Sequence, residues 1–222
     1  MSLYTAIIIE PRCHRAFEFV INNFLNGLSN DWNIIIFHGI DNEKFIINII
    51  KKLKKDFMKR ITLINLNIKN LSINDYNNLL VSKNFYEKIP TDIFMIFQTD
   101  TLILNKEKIN NFLDYDYVGA PWAHKPLGEN VGNGGLSIRR KNKMLEIIEN
   151  VPYSGRAEDL YFSHYPDKIN KPSRNKACEF SVETIFFDKP FGCHKPWNRY
   201  YTETFFKLYP SVYKLYKLNI AV

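Results

Sequence analysis

The sequence predicts an α/β fold: a mixed, mostly parallel sheet flanked by helices. Three observations predict it. From Thr5 to Gln98, short runs rich in Ile and Phe alternate with longer segments whose apolar residues recur at helical spacing. Such alternation implies right-handed crossovers between parallel strands. After Gln98 the strands shorten, and the loops between them fill with Gly, Pro and Trp.

Thr5 to Ile9 is short and β-branched, with a proline close behind, and reads as a buried strand. Arg15 to Leu28 reads as a helix: Ala16, Phe17, Val20, Phe24 and Leu28 share one face, and Gly27 lies near the end. Trp32 to Phe37 is a second strand, ending at His38-Gly39. Asp41 or Asn42 can cap a second helix, whose stripe is Phe45, Ile46, Ile49, Ile50, Leu53 and Phe57. Ile61 to Leu66 is a third strand. Asn67 to Lys88 holds a loop and a helix capped by Ser72, and Asp92 to Gln98 is a fourth strand. In such sheets ligands bind outside the carboxyl ends of the strands. Pro11-Arg12, His38-Gly39 and Gln98-Thr99-Asp100 should therefore converge on one edge. In the second half, Tyr115 to Gly119, Leu136 to Arg139 and Ser181 to Phe187 read as strands, and Lys141 to Asn150 as a helix.

Composition bounds the rest. The 222 residues suit one domain, and an apolar share of 45% supplies a core. A formal charge of +7 favours polyanionic partners. The lysines are scattered among Asn and Ile, however, as the AT-rich coding of a virus or microbe produces, so charge alone does not point to nucleic acid. Cys13, Cys178 and Cys193 show no disulfide framework or zinc spacing, which suits a reducing, cytoplasmic setting. The first residues read as a strand and not as a signal peptide. No apolar run approaches the ~20 residues that span a bilayer.

Several polar groups carry chemistry in combination. Asp100 ends a strand, and Mg²⁺ or Mn²⁺ needs only one or two carboxylates when phosphates complete the shell. Taken alone, it reads as a turn aspartate. His194, between Gly192-Cys193 and Lys195-Pro196-Trp197, is either a second metal ligand or a histidine bonded within a rigid loop. Gly134-Gly135-Leu136-Ser137 lets backbone approach a ligand, or forms a hairpin with a bulge. Trp122 can stack on a sugar ring or cap the core. Glu158-Asp159 opens a helix from Leu160 to Tyr165, either as dipole partners or as a general base. Arg12 can hold a phosphate or begin a helix on the surface.

In order, Glu10 to His14, Phe37-His38-Gly39, Phe97 to Asp100, Tyr115 to Trp122, Val131 to Arg140, Glu158-Asp159, Phe180 to Glu183 and Pro190 to Trp197 resemble a family of glycosyltransferase-like proteins catalogued as a domain of unknown function. The resemblance implies a GT-A fold, the Rossmann-like domain of nucleotide-sugar transferases. It implies a nucleotide-binding half at about 1–104, an acceptor-binding half at about 105–198 and a helical tail at 199–222. By similarity, Asp100 and His194 would hold the metal, Mn²⁺ or Mg²⁺, with Gln98 standing where such enzymes carry an acid. Asp159 would be the catalytic base beside Glu158. Pro11, Arg12, His38, Gly39, Gln98 and Thr99 would meet the nucleotide. Trp122, Gly134, Gly135, Ser137, Lys195 and Trp197 would line the donor and acceptor sugars. The donor would be of UDP or GDP type, the acceptor a glycan or protein hydroxyl, and the transfer inverting.

Two other readings stay open. A degenerate transferase would bind nucleotide or glycan without turnover. An RNA- or membrane-surface-binding protein is suggested by the charge and by the aromatic-basic tail from Tyr200 to Lys217. That tail can pack on the domain, lie at a membrane interface or form a homodimer contact, and packing is expected.

Overall fold

The structure, a computed structural model, describes residues 2–124, 131–164 and 169–220. The first half alternates as expected: β1 (Tyr4–Ile9), α1 (Phe17–Gly27), β2 (Trp32–His38), α2 (Glu43–Ile50), α3 (Lys55–Met58), β3 (Ile61–Asn65), α4 (Ile73–Leu80), α5 (Lys83–Glu87) and β4 (Ile93–Phe97). Then come β5 (Thr101–Ile103), a 3₁₀ helix at Lys106–Phe112, β6 (Tyr117–Gly119), β7 (Leu136–Arg140), α6 (Lys141–Asn150) and α7 (Glu158–Ser163). The chain continues through α8 (Arg174–Phe180), β8 (Ser181–Val182), β9 (Gly192–His194), α9 (Thr202–Leu208) and α10 (Pro210–Ile220).

Six strands form one sheet in the order β3-β2-β1-β4-β7-β6. β1 to β4 pair in parallel, and β7 runs antiparallel to both β4 and β6. Period-two alternation sorts the side chains onto two faces. Ala6, Ile8, Ile34, Ile36, Met95 and Phe97 join the cluster under α1, while Ile7, Ile35, Phe37, Phe94 and Ile96 join the cluster on the other face. β5, β9 and β8 form a separate three-stranded sheet. The tail packs on the domain, with Tyr201, Phe205, Val212 and Leu215 buried in the same cluster as Phe24 of α1.

Three expectations need correction. The stripe from Phe45 to Phe57 is buried or half-buried, but it does not lie on one helix: Lys54 turns extended between α2 and α3. Lys51, Lys52, Lys54 and Lys55 would crowd like charges on a continuous helix there. Asn42 precedes α2 without a side-chain cap bond. Its amide instead donates to the carbonyls of Glu10 (2.8 Å) and Arg12 (2.9 Å), and its oxygen accepts from Gly39 N–H (2.9 Å). The strand expected from Ser181 to Phe187 ends at Val182. The Glu183 carbonyl accepts from the side chains of Tyr201 and Arg199, which takes it out of any ladder. Ser72 does cap α4, in a reciprocal box with Asp75. The helix expected from Leu160 to Tyr165 is α7, and Tyr165 lies outside the described residues.

Candidate functional site

The strand order reverses between β1 and β4: β2 and β3 continue on one side of β1, and β4 lies on the other. Such a switch point opens a crevice at the carboxyl ends of the strands. A cleft of about 430 Å³ lies there, lined by Pro11, Arg12, Tyr76, Gln98, Thr99 and Asp100 among others. Glu10 fixes Arg12 at its mouth through two bonds, from Nε (2.7 Å) and Nη2 (2.8 Å). That pairing with Glu10 raises the Arg12 pKa. Gln98 donates its amide to the Tyr76 hydroxyl at 3.2 Å. His38 and Gly39 are buried beneath the cleft and do not line it: His38 Nδ1 lies 2.8 Å from the Gly39 carbonyl. A Cβ on Gly39 would fall 2.9 Å from the Pro11 carbonyl, so this glycine lets the two loops close on each other.

The small sheet assembles the second half of the site. Thr101 at the start of β5 pairs with His194 at the end of β9, and Val182 at the end of β8 pairs with Cys193. That register brings Asp100, Glu183 and His194 to one end of the sheet. His194 Nε2 lies 3.4 Å from Asp100 Oδ1, and Nδ1 lies 3.8 Å from Glu183 Oε1. Asp100 Oδ1, His194 Nδ1 and Glu183 Oε2 are buried without a hydrogen-bond partner. Burial pushes the His194 imidazole down, but the Asp100 and Glu183 carboxylates outweigh it and the net shift is upward. Burial pushes the Asp100 carboxyl up, and His194 and Lys195 more than reverse this. Burial leaves Glu183 above the ordinary carboxylate range.

Gly134 and Gly135 connect this cluster to α7. A Cβ on Gly135 would sit 2.3 Å from His194 Nε2, so only hydrogen fits against the ring. Gly134 donates its N–H to Asp159 Oδ2 at 3.2 Å, and Asp159 Oδ1 accepts from Leu160 N–H at 2.8 Å. Close approach is thus what these two glycines supply; the positive φ in this stretch belongs to Gly132.

Three expected residues take other places. Glu158 spends both oxygens on Arg139, at 2.5 and 3.0 Å, in a buried pair that leaves it no access to a substrate. Burial works against charge on Arg139, and Glu158 outweighs it. Ser137 lies inside β7, donating to the Gly134 carbonyl and accepting from Arg139 Nε. Trp197 is a core residue, packed on Tyr216 of α10 at 5.7 Å between ring centroids. Lys195 is exposed, and its backbone N–H donates to the Asp100 carbonyl at 2.9 Å.

Trp122 lines a second hollow with Ala123, His124, Glu183, Thr184 and Arg199. Glu183 belongs both to this hollow and to the His194 cluster. The sequence holds it within Phe180 to Glu183 with no role attached; its register beside His194 is the missing signal. Among the described residues, no group of three or more His, Cys, Asp or Glu is placed to hold a metal ion by itself. No described helix is long and apolar enough to cross a membrane.

Residues 60–194 match the family described as "Protein of unknown function (DUF5672)". The chain belongs to this family. Among solved structures, this DUF5672 chain is similar to the galactosyltransferase LgtC, crystallised with donor and acceptor sugar analogues. The TM-score is 0.58 at 14% identity, over 93% of this chain and 95% of that one. It is also similar to the glycosyltransferase GlyE of Streptococcus pneumoniae, with TM-score 0.57 at 11% identity over 98% of this chain and 64% of that one. A third is the mannosyltransferase PcManGT of Pyrobaculum calidifontis, with TM-score 0.52 at 11% identity over 77% and 56%. These likenesses establish the GT-A glycosyltransferase fold. No curated protein matches the sequence.

Proposed function

We propose that this protein is a glycosyltransferase that moves a sugar from a UDP- or GDP-type donor to the hydroxyl of a glycan or protein acceptor. The observation that carries the reading is the meeting of Asp100 and His194 beside the crevice at the β1/β4 switch point. A nucleotide fits that crevice by the general rule for open α/β sheets.

Asp100 Oδ1, buried without a hydrogen-bond partner and 3.4 Å from His194 Nε2, suits a divalent cation, Mn²⁺ or Mg²⁺. Asp100 and His194 would hold it, and phosphate oxygens would supply the remaining ligands. Bound there, the cation would offset charge on the leaving diphosphate. The similar fold of PcManGT is seen in complex with GDP-Man and Mn²⁺. Arg12 and Lys195 add positive charge on the same side. Asp159, held by the Gly134 N–H, accepts the proton of the acceptor hydroxyl. That oxygen bonds to the anomeric carbon as the bond to the nucleoside diphosphate breaks, with inversion. Trp122 offers an aromatic face to a sugar. The three free thiols suit a reducing, intracellular setting.

Transfer and hydrolysis of a panel of UDP- and GDP-sugars with Mn²⁺ tests the reading. Asp159→Asn should lower turnover by roughly 10²- to 10⁴-fold with donor affinity retained. Unchanged turnover removes Asp159 as base. A second reading rests on Gln98, whose amide is already bonded to Tyr76 and which supplies no carboxylate. It makes the protein a nucleotide-binding module, and tight donor binding without turnover by any donor would select it.

A further inference from the structure

We infer that α10 is a positioning wall of the donor cleft, and that Asn219 on its last turn fixes the segment that carries Asp100. The nature of the ligand rests on the donor reading above; the positioning does not.

Each carbonyl of Gln98-Thr99-Asp100 is held from a different place. The Gln98 carbonyl accepts from the Thr101 hydroxyl at 2.7 Å. The Asp100 carbonyl accepts from Lys195 N–H at 2.9 Å, which ties it to the β9 end. The Thr99 carbonyl accepts from the Asn219 amide at 3.1 Å, across 120 residues of sequence. The same amide donates to the Leu215 carbonyl at 3.0 Å, which fixes the Asn219 side chain against its own helix. Asn219 also lines the cleft.

α10 is well placed to act as a brace. Val212 and Leu215 are fully buried in the main core, and Lys214 lies over the Phe19 ring of α1 at 4.8 Å. Tyr216 packs on Trp197, three residues after His194. One anchored helix therefore touches both segments that present Asp100 and His194: Asn219 on the first, Tyr216 on the second. Asn219 is a positioning residue. It acts through the backbone of Thr99, which sets where the Asp100 carboxylate points, and without it the cleft floor loosens while the core keeps its packing.

Two variants test this: Asn219→Ala, and Asn219→Asp, which keeps the size and removes the N–H. The first readout needs no ligand. Hydrogen exchange over Gln98 to Thr101 should quicken roughly three- to tenfold in both variants, the effect of losing one ordinary hydrogen bond, with the melting temperature lowered by no more than about 2–4 °C. Ser211→Ala, on the same helix and away from the cleft, should leave exchange there as in the wild type. The second readout is calorimetric binding of UDP and GDP in the presence of Mn²⁺, where affinity should fall by a similar factor. Wild-type exchange rates in both Asn219 variants would overturn the inference. Quickened exchange in a protein that binds neither UDP nor GDP would uphold the positioning role and remove the donor reading instead.

Discussion

The six-stranded sheet holds its central strands with apolar side chains on both faces, in runs of five to seven residues. In the three-stranded sheet, β5, β9 and β8 are only two or three residues long. The first sheet makes the fold and offers the crevice. The second carries Asp100, Glu183 and His194 to a common end and adds Leu102, Ile103, Val182 and Cys193 to the main core. The large sheet supplies most of the core and the small one sets the site geometry, so damage to each should be read by a different measurement.

The largest stability losses should come from the first region. Phe24 stacks on Phe97 with ring centroids 3.8 Å apart, under the centre of the large sheet. Phe24→Ala should cost about 3–5 kcal/mol in denaturant unfolding. A loss below 1 kcal/mol would mean that this face is not the main core. Glu158→Ala should cost about as much, because it leaves the buried Arg139 guanidinium without its counter-charge. Asp159→Asn, one residue away, gives up one of two backbone N–H bonds and should cost only about 1 kcal/mol. Equal destabilisation by the two would erase the distinction drawn between these neighbouring carboxylates.

Gly135→Ala sharpens the comparison from the other side. The new Cβ must displace the His194 ring, so affinity for Mn²⁺ with UDP should fall about tenfold, while stability falls by about 1–3 kcal/mol. Wild-type binding would show that the ring position does not matter to the site. The smallest effect belongs to the α4 cap. The Ser72 side-chain and backbone donors hold the Asp75 carboxyl below its ordinary pKa. A depressed folded-state pKa gives stability that is present above the unfolded value and lost as pH falls through the folded one. Asp75→Asn should flatten the acid-side pH dependence of amide protection in α4 and leave neutral-pH activity alone. An unaltered acid-side profile would deny the cap any part in it.

Much of the fold was legible because the parallel strands are buried on both faces and each helix has one apolar stripe, patterns that repeat within a few residues. Ser72, α6 and the buried faces of α1 and β2 follow from that local periodicity. Asp100 and His194 could be named as a pair by resemblance, but the reason they meet is a register between β5 and β9. That register spans about ninety residues of chain and leaves no periodic trace. Glu183 was hidden for the same reason, and the place of Glu158 was not legible because a carboxylate at a helix start looks alike whether it faces solvent or a buried arginine. The aromatic-basic tail showed its apolar residues plainly, while the contact of Asn219 with Thr99 existed only once α10 had docked.

By itself, then, the sequence determined the alternating α/β architecture, the end of the first strand at Ile9, and the cap at Ser72, since each depends on neighbours within a turn or a strand. Only the tertiary structure decided which carboxylate is held in a buried pair and which lies beside Gly134. It also decided that His194 sits between Asp100 and Glu183, and that α10 closes on the crevice. Those outcomes depend on long-range packing and on the free-energy cost of burying charge without a partner, which no local pattern of residues encodes.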